Sequence, residues 1–90
     1  FVPAEYRIYQ NYPNPFNPVT NIKFDVVKSG NVKITVSDIS GKLVSELLNS
    51  KMNPGTYLVD FNASQFASGI YFYTLSAQGN VITKKMTVLK

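Results

Sequence analysis

The stretch TNIKFDVVKSGNVKITVSD, residues 20–38, decides the class of fold. Apolar side chains occupy every second position in each of its halves: Ile22, Phe24 and Val26, then Val32, Ile34 and Val36. A period of two is that of a β-strand with one buried face. Residues 28–31, KSGN, interrupt the alternation with turn-forming residues. The stretch therefore predicts two strands joined by a turn.

Two further runs are strongly β-prone. GTYLVDFN, residues 55–62, follows a turn-forming NPG segment and places Tyr57, Val59 and Phe61 on one face. GIYFYTLSA, residues 69–77, is apolar on both faces. That composition predicts a central strand covered on both sides at its start.

The last run, NVITKKMTVLK, residues 80–90, places Ile82, Met86 and Val88 in the inward phase of a strand. Lys84 shares that phase. Such a lysine either lies at the rim of the core, with its stem packed and its ammonium group in water, or marks a shift of strand register. The pattern leaves both alternatives open.

Three segments are less regular. DISG, residues 38–41, has the Asp and Gly positions that a type I turn prefers. KLVSELL, residues 42–48, spaces its apolar residues for an amphipathic helical turn almost as well as for a strand. ASQFASG, residues 63–69, lacks alternation, and we expect a short helical turn that packs Phe66 against the core.

Composition and strand count together indicate one all-β domain. The chain has 90 residues, of which 44% are hydrophobic and 16% charged, so it has the composition of a folding chain with a single core. Six or seven short strands without a periodic helix predict an immunoglobulin-like antiparallel β-sandwich of about seven strands. Because cysteine and tryptophan are absent, packing of Phe, Tyr, Ile and Val has to hold this core.

The distribution of charge and the length of the apolar runs argue against two classes of partner, nucleic acids and membranes. The net charge is +4, but the nine Lys and Arg residues are spread along the chain, whereas nucleic-acid binders show a denser basic face. No apolar run approaches the roughly 20 residues that span a bilayer, so we expect no stable membrane insertion.

The sequence contains few of the residue types that catalysis commonly uses. Histidine and cysteine are absent, which removes the commonest general base, the commonest metal ligand and the thiolate nucleophile. The five acidic residues stand far apart, with no paired spacing of a glycosidase dyad or a calcium loop, and the glycines lie dispersed at turns. We therefore expect no enzyme activity, no cofactor and no metal site.

NYPNPFNP, residues 11–18, contains three prolines and three asparagines and can be neither helix nor central strand. We call it the proline loop. Its prolines restrict the unfolded chain, and we expect Tyr12 and Phe16 to plug the open end of the sandwich. Residues 1–10 are expected to be the end of a linker, and residues 11–90 the folded domain. Tyr6, Tyr9 and Tyr12 could instead form a sugar-binding platform, although aromatic residues in a small sandwich are more often anchors of the core.

Four separated motifs resemble a known family. NYPNPFNPVTNIKFDV, SDISGKLV, NPGTYLVDFNASQFASGIYFYTL and the final TKKMTVLK occur in the order found in the type A C-terminal sorting domain of type IX secretion, known from exported proteins of Bacteroidota. The resemblance covers about residues 10–90. The positions that match the family's motifs are Pro13, Asn14 and Pro15, Gly55 and Tyr57, Gly69 and Tyr71, and the basic ending Lys84, Lys85 and Lys90.

The resemblance implies an Ig-like sandwich fused behind a cargo domain. Such a domain acts as an export label: the cargo enters the periplasm, an outer-membrane translocon recognises the C-terminal domain, and a sortase-like peptidase removes it at the cell surface. The cargo then stays on the surface or is secreted. We expect the terminal strand to carry the recognition signal, because Lys84, Lys85 and Lys90 form a charge cluster that the fold itself does not need.

The rival interpretation is a carbohydrate-binding or adhesion module of a secreted enzyme. Both functions suit the same sandwich, since such folds host many roles. A sorting signal is expected to stop at the C-terminus of its polypeptide, whereas a binding module tolerates residues after its last strand.

Overall fold

The alternating runs become strands of two facing sheets. The computed structural model describes residues 3–90, and within them it has a three-stranded sheet in the order β1-β2-β5 and a four-stranded sheet in the order β4-β3-β6-β7. All neighbours are antiparallel. The strands are β1 (Arg7–Ile8), β2 (Val19–Val26), β3 (Gly30–Asp38), β4 (Leu43–Met52), β5 (Gly55–Asn62), β6 (Gly69–Ala77) and β7 (Asn80–Val88). The predicted all-β antiparallel sandwich is confirmed.

The core lies between the two sheets. It consists of the inward-facing apolar side chains that the period of two selects, among them Ile22, Phe24, Ile34, Tyr73 and Leu75, each at most 1% exposed. Burying a side chain of this size contributes about 1.5–3 kcal/mol, which is how the sandwich is held without a disulfide. Within residues 3–90, no helix has the length and apolar character needed to cross a membrane.

The segment with helix-like spacing is a strand, β4, interrupted by two irregularities. The β3–β4 pairing steps from Leu48 to Glu46 and from Ser45 to Leu43, which leaves Leu47 and Val44 as the extra residues. Each bulge shifts the alternation of side chains by one position. Val44, Leu47 and Leu48 therefore all pack against the core although they are not spaced by two.

β6 is a central strand, as predicted, because it pairs with β3 on one side and with β7 on the other. The expectation that it is covered on both faces is wrong. Its inner face is buried, but Ile70 on the outer face is 38% exposed and Phe72 is half-buried. In the described part of the chain no layer packs over the outer face of this sheet, which explains the difference.

The turn between β5 and β6 contacts the core as predicted. The Phe66 amide donates a hydrogen bond to the Ala63 carbonyl at 3.0 Å, so the segment is a single hydrogen-bonded turn. The Phe66 ring stacks on Phe61, with the ring centroids 5.7 Å apart.

The β6–β7 pairing decides between the two alternatives for Lys84. The register runs without a shift from Gly69 opposite Val88 to Ala77 opposite Asn80. Lys84 is half-buried and lies beside Ile82, so it occupies the rim of the core.

The folded region reaches further back than residue 11. Arg7 and Ile8 pair with Asp25 and Phe24 of β2, and Ile8 belongs to the core. Arg7 and Ile8 therefore belong to the folded domain. The assignment of the residues before Arg7 to a linker stays a prediction. Phe1 and Val2 lie outside the described residues.

Candidate functional site

The proline loop lies along the outer edge of the terminal strand. β7 is the edge strand of its sheet, with β6 on one side only. On the other side, the Phe16 amide donates to the Thr87 carbonyl at 3.1 Å and the Leu89 amide donates to the Phe16 carbonyl at 3.0 Å. The Thr87 amide donates to the Asn14 side-chain oxygen at 3.0 Å. The loop thus pairs in parallel with the last residues of the chain.

Side chains hold the loop in this position because its prolines lack amide donors. Asn11 and Thr20 are both buried, and the Asn11 amide group donates to Thr20 Oγ1 at 3.0 Å and to the Pro13 carbonyl at 3.2 Å. Thr20 Oγ1 donates to the same carbonyl at 2.8 Å. Buried polar groups that satisfy one another in this way fix a single loop conformation.

The two residues expected to plug the sandwich behave differently. Phe16 is 3% exposed and meets Phe61 edge-on, with ring centroids 6.1 Å apart. Tyr12 is 78% exposed, so its assignment as a plug is wrong. The reason is its backbone bridge to Asn21, which lies on the outer face of β2 and directs Tyr12 to the same outer face.

The three terminal lysines do not form one cluster. Lys84 points to the rim of the core. Lys85 is exposed on the outer face of the sheet, where it pairs with Phe72 of β6. Neighbouring residues of a strand must point to opposite faces. Lys90 folds back onto the turn before β6, where its Nζ donates to the Ser64 carbonyl at 2.8 Å and its amide donates to Ser68 Oγ at 3.0 Å.

The charged side chains of the C-terminal third of the chain are nevertheless all positive. Residues 61–90 contain Lys84, Lys85 and Lys90 and no acidic residue. Within the described residues, the ion pair formed is Arg7 with Glu5 at 2.6 Å, near the other end of the chain. The lysines of β7 therefore present positive charge that no carboxylate of residues 3–90 neutralises.

The two Gly-x-Tyr motifs have the same local geometry. Gly55 and Gly69 have φ angles of 154° and 149°, a region that favours glycine. Two residues later, the Tyr57 hydroxyl donates to the Asn53 carbonyl at 2.7 Å, and the Tyr71 hydroxyl donates to the Ala67 carbonyl at 2.8 Å. Each tyrosine therefore anchors the turn that precedes its strand, which is a structural role.

The proline motif also contributes contacts. Pro13 supplies the carbonyl that Asn11 and Thr20 share, and Asn14 bonds the terminal strand, while Pro15 is exposed.

The burial of one charged side chain, that of Asp25, was not predicted from the sequence. Asp25 has the outward phase of β2, yet it is only 4% exposed. Its two carboxylate oxygens accept hydrogen bonds from the Tyr9 hydroxyl at 2.6 Å and from Thr56 Oγ1 at 2.7 Å. The hydrogen bond to Asp25 raises the pKa of Tyr9 above its ordinary value, with burial acting in the same direction. No spacing rule links these three positions, because the contacts depend on how β1 and β5 flank β2.

The three N-terminal tyrosines are not equally open. Tyr6 is half-buried, and its hydroxyl accepts a hydrogen bond from the Lys28 amide at 3.3 Å. Tyr9 is half-buried and donates to Asp25. Of these residues Tyr12 alone is exposed, so they do not present a continuous aromatic platform. Within residues 3–90, no group of acidic side chains is placed to hold a metal ion.

Comparison with known proteins identifies one similarity. The family model described as "Secretion system C-terminal sorting domain" matches residues 10–89. Neither the curated proteins nor the solved structures give a match. The matched range begins at Gln10, the residue before the proline loop. It ends at Leu89, one residue after Val88, which forms a β-bridge with Phe16.

Proposed function

This chain belongs to the type IX secretion C-terminal sorting domain family, and on that premise we propose that it is a non-catalytic signal domain that directs an attached cargo across the outer membrane. Membership of the family implies export through the type IX system to the cell surface or beyond. In the proposed sequence of events, the cargo is fused before the domain and passes through the periplasm. An outer-membrane translocon then recognises the domain, and a sortase-like peptidase removes it at the surface.

The observation that carries this proposal is the family match over nearly the whole chain, residues 10–89. The motif residues support it because they build the fold: the proline loop pairs with β7, and both Gly-x-Tyr tyrosines anchor turns. Members of this family are typically non-catalytic. No observation on residues 3–90 favours the carbohydrate-binding alternative, since Tyr6 and Tyr9 are hydrogen bonded within the domain.

We place recognition by the translocon on β7 and the residues that follow it. Lys84, Lys85 and Lys90 lie there, and the basic character of residues 61–90 suits a partner with complementary negative charge. Electrostatic complementarity of this kind speeds and selects association more than it strengthens it.

The test is an export assay in a type IX-competent bacterium. A fluorescent reporter with an N-terminal signal peptide is fused before residues 1–90 and is compared with the reporter alone. Deleting residues 84–90 is not a clean variant, because Met86 and Val88 belong to the core. The variant is instead Lys84→Gln/Lys85→Gln/Lys90→Gln, with Lys28→Gln/Lys33→Gln/Lys51→Gln, all exposed lysines elsewhere, as the matched control.

We expect the wild-type fusion and the control variant to reach the surface or medium, and the terminal-lysine variant to stay in the periplasm as a folded protein. Retention of the wild-type fusion would contradict the proposed function. Export of the terminal-lysine variant at the wild-type level would contradict the role of the three lysines but not the sorting function.

A further inference from the structure

An open groove separates β1 from β7 where the edges of the two sheets meet. It has a volume of about 410 Å³. Tyr6, Ile8 and Tyr9 line one side, and Ile82 and Lys84 line the other. The groove therefore combines apolar side chains with one lysine of the terminal strand.

One wall of the groove is the outer edge of β7, and half of this edge is already paired. Lys85, Thr87 and Leu89 direct backbone groups outward: the Lys85 carbonyl accepts from Gln10 Nε2 at 2.7 Å, and the other two bond to the proline loop. Because backbone direction alternates along a strand and the β7 register is unbroken, Thr83 also directs its amide and carbonyl outward, as does Val81. Within residues 3–90, neither residue has a hydrogen-bond partner on that side.

We propose that the open half of the β7 edge, residues 81–84, binds an extended segment of a partner protein by β-strand addition, with an acidic side chain of that segment opposite Lys84. The partner is a component of the type IX machinery, so this inference rests on the proposed function. Main-chain hydrogen bonds to Thr83 would provide affinity, and the groove would select the side chains.

Three observations point to this occupant. The outward backbone groups of Val81 and Thr83 are unpaired among residues 3–90, and the other half of the same edge already pairs with an extended segment, the proline loop. Apolar side chains at alternate positions of a bound strand would contact Ile8 and Ile82. The charge is complementary, because Glu5 at the groove is paired with Arg7 and Lys84 has no carboxylate partner among the described residues.

Two matched pairs of variants separate this edge from its surroundings. Thr83→Pro removes the outward amide, which an edge strand tolerates. Thr83→Val keeps the amide and, like the proline, removes the hydroxyl that lies 2.9 Å from Thr74 Oγ1. Lys84→Glu reverses the charge in the groove, and Lys33→Glu makes the same change at an exposed position on the outer face of β3. Thermal melting of each variant in the 90-residue chain verifies that it is folded.

The first readout is amide NMR of the isotope-labelled chain during titration with a capped peptide of alternating glutamate and valine. A peptide with lysine in place of glutamate is the charge-reversed probe. We expect the acidic peptide to shift the amides of Val81 and Thr83 and to bind at least about tenfold more weakly to Thr83→Pro, with Thr83→Val unchanged. Lys84→Glu should reverse the preference between the peptides. Equal binding of both peptides by the wild-type chain, or shifts confined to another surface, would overturn the proposal.

The second readout is export of the reporter fusion. Thr83→Pro and Lys84→Glu should be retained, and Thr83→Val and Lys33→Glu should be exported. If the wild-type fusion and all four variants are exported alike, the groove inference is wrong while the sorting function stands. If the wild-type fusion itself is retained, the sorting function is wrong, and the peptide titration alone decides whether the edge binds an acidic strand. Pairing of this edge with a second copy of the chain would appear as a dimer in solution and would also overturn it.

Discussion

The carbonyl oxygen of Phe16 accepts a hydrogen bond from the Leu89 amide nitrogen, 3.0 Å away, which joins the proline loop to the end of the chain. The first and last motifs of the sequence, 73 positions apart, therefore form one structural unit. The proline loop fixes the position of β7, and β7 is the strand on which we place recognition. In the proposed function, the proline loop therefore holds in place the strand that the translocon recognises.

One aromatic side chain of the proline loop, Phe16, is buried in the core. Phe16→Ala should lower the free energy of unfolding by about 3–5 kcal/mol, because it leaves a cavity against Phe61. Tyr12→Ala should change it by no more than about 0.5 kcal/mol, because that ring is exposed. Urea denaturation of both variants measures the difference. Equal losses in the two variants would contradict the placement of these rings.

The Asn14 side chain adds a hydrogen bond between the proline loop and the terminal strand. Asn14→Ala removes the acceptor of the Thr87 amide, and we expect a loss of about 0.5–1.5 kcal/mol with faster hydrogen exchange at Thr87. Asn17→Ala, in the same loop and also exposed, is the control. Unchanged exchange at Thr87 in Asn14→Ala would show that the bond does not hold β7.

Stability should fall at alkaline pH. The hydrogen bond to Asp25 raises the pKa of Tyr9, and burial raises that of Tyr73, above the ordinary 10.0. The folded state therefore keeps these protons while the unfolded state loses them, so their contribution is complete below pH 10.0 and declines as the pH rises through the folded-state values.

Two variants isolate the Tyr9 share of this effect. Tyr9→Phe should weaken the decline, and Asp25→Asn should return the Tyr9 pKa toward its ordinary value in an absorbance titration of the phenolate. An identical phenolate titration curve in Asp25→Asn would contradict the hydrogen bond as the cause.

The β3–β4 turn should weaken in acid. One oxygen of Asp38 accepts hydrogen bonds from the Ser40 hydroxyl, the Ser40 amide and the Lys42 amide, and the Ser40 hydroxyl is the chief reason its pKa lies below 3.8. A lowered carboxyl pKa stabilises the fold above the ordinary value and ceases to do so as the pH falls through the folded-state value. Asp38→Asn should therefore be less stable than wild type at neutral pH and equal to it in strong acid. A gap in melting temperature that persists in acid would refute this.

The strands could be predicted from the sequence because burial of one face imposes a period of two, as in β2 and β7. The bulges of β4 could not, since Val44 and Leu47 pack inward only after the chain gains two extra residues against β3. The outward position of Tyr12 follows from a backbone bridge to Asn21, which no local pattern encodes.

The candidate site was predicted in part. Alternation placed Lys84 in the inward phase, but only the unbroken β6–β7 register shows that it lies at the rim beside the groove. The pairing of the proline loop with Thr87 and Leu89 joins residues more than 70 positions apart, and proline-rich sequence has no periodicity that would indicate its partner. The burial of Asp25 likewise depends on Tyr9, which follows β1, and on Thr56 of β5.

The most direct measurement is the fraction of a reporter fused before residues 1–90 that reaches the surface or medium in two strains, one with an intact type IX translocon and one with the translocon deleted. We expect export in the intact strain, with loss of the domain's mass from the exported cargo, and retention of the whole fusion in the periplasm of the deletion strain. Retention in both strains, or equal export from both, would contradict the assignment of this domain as a type IX sorting signal.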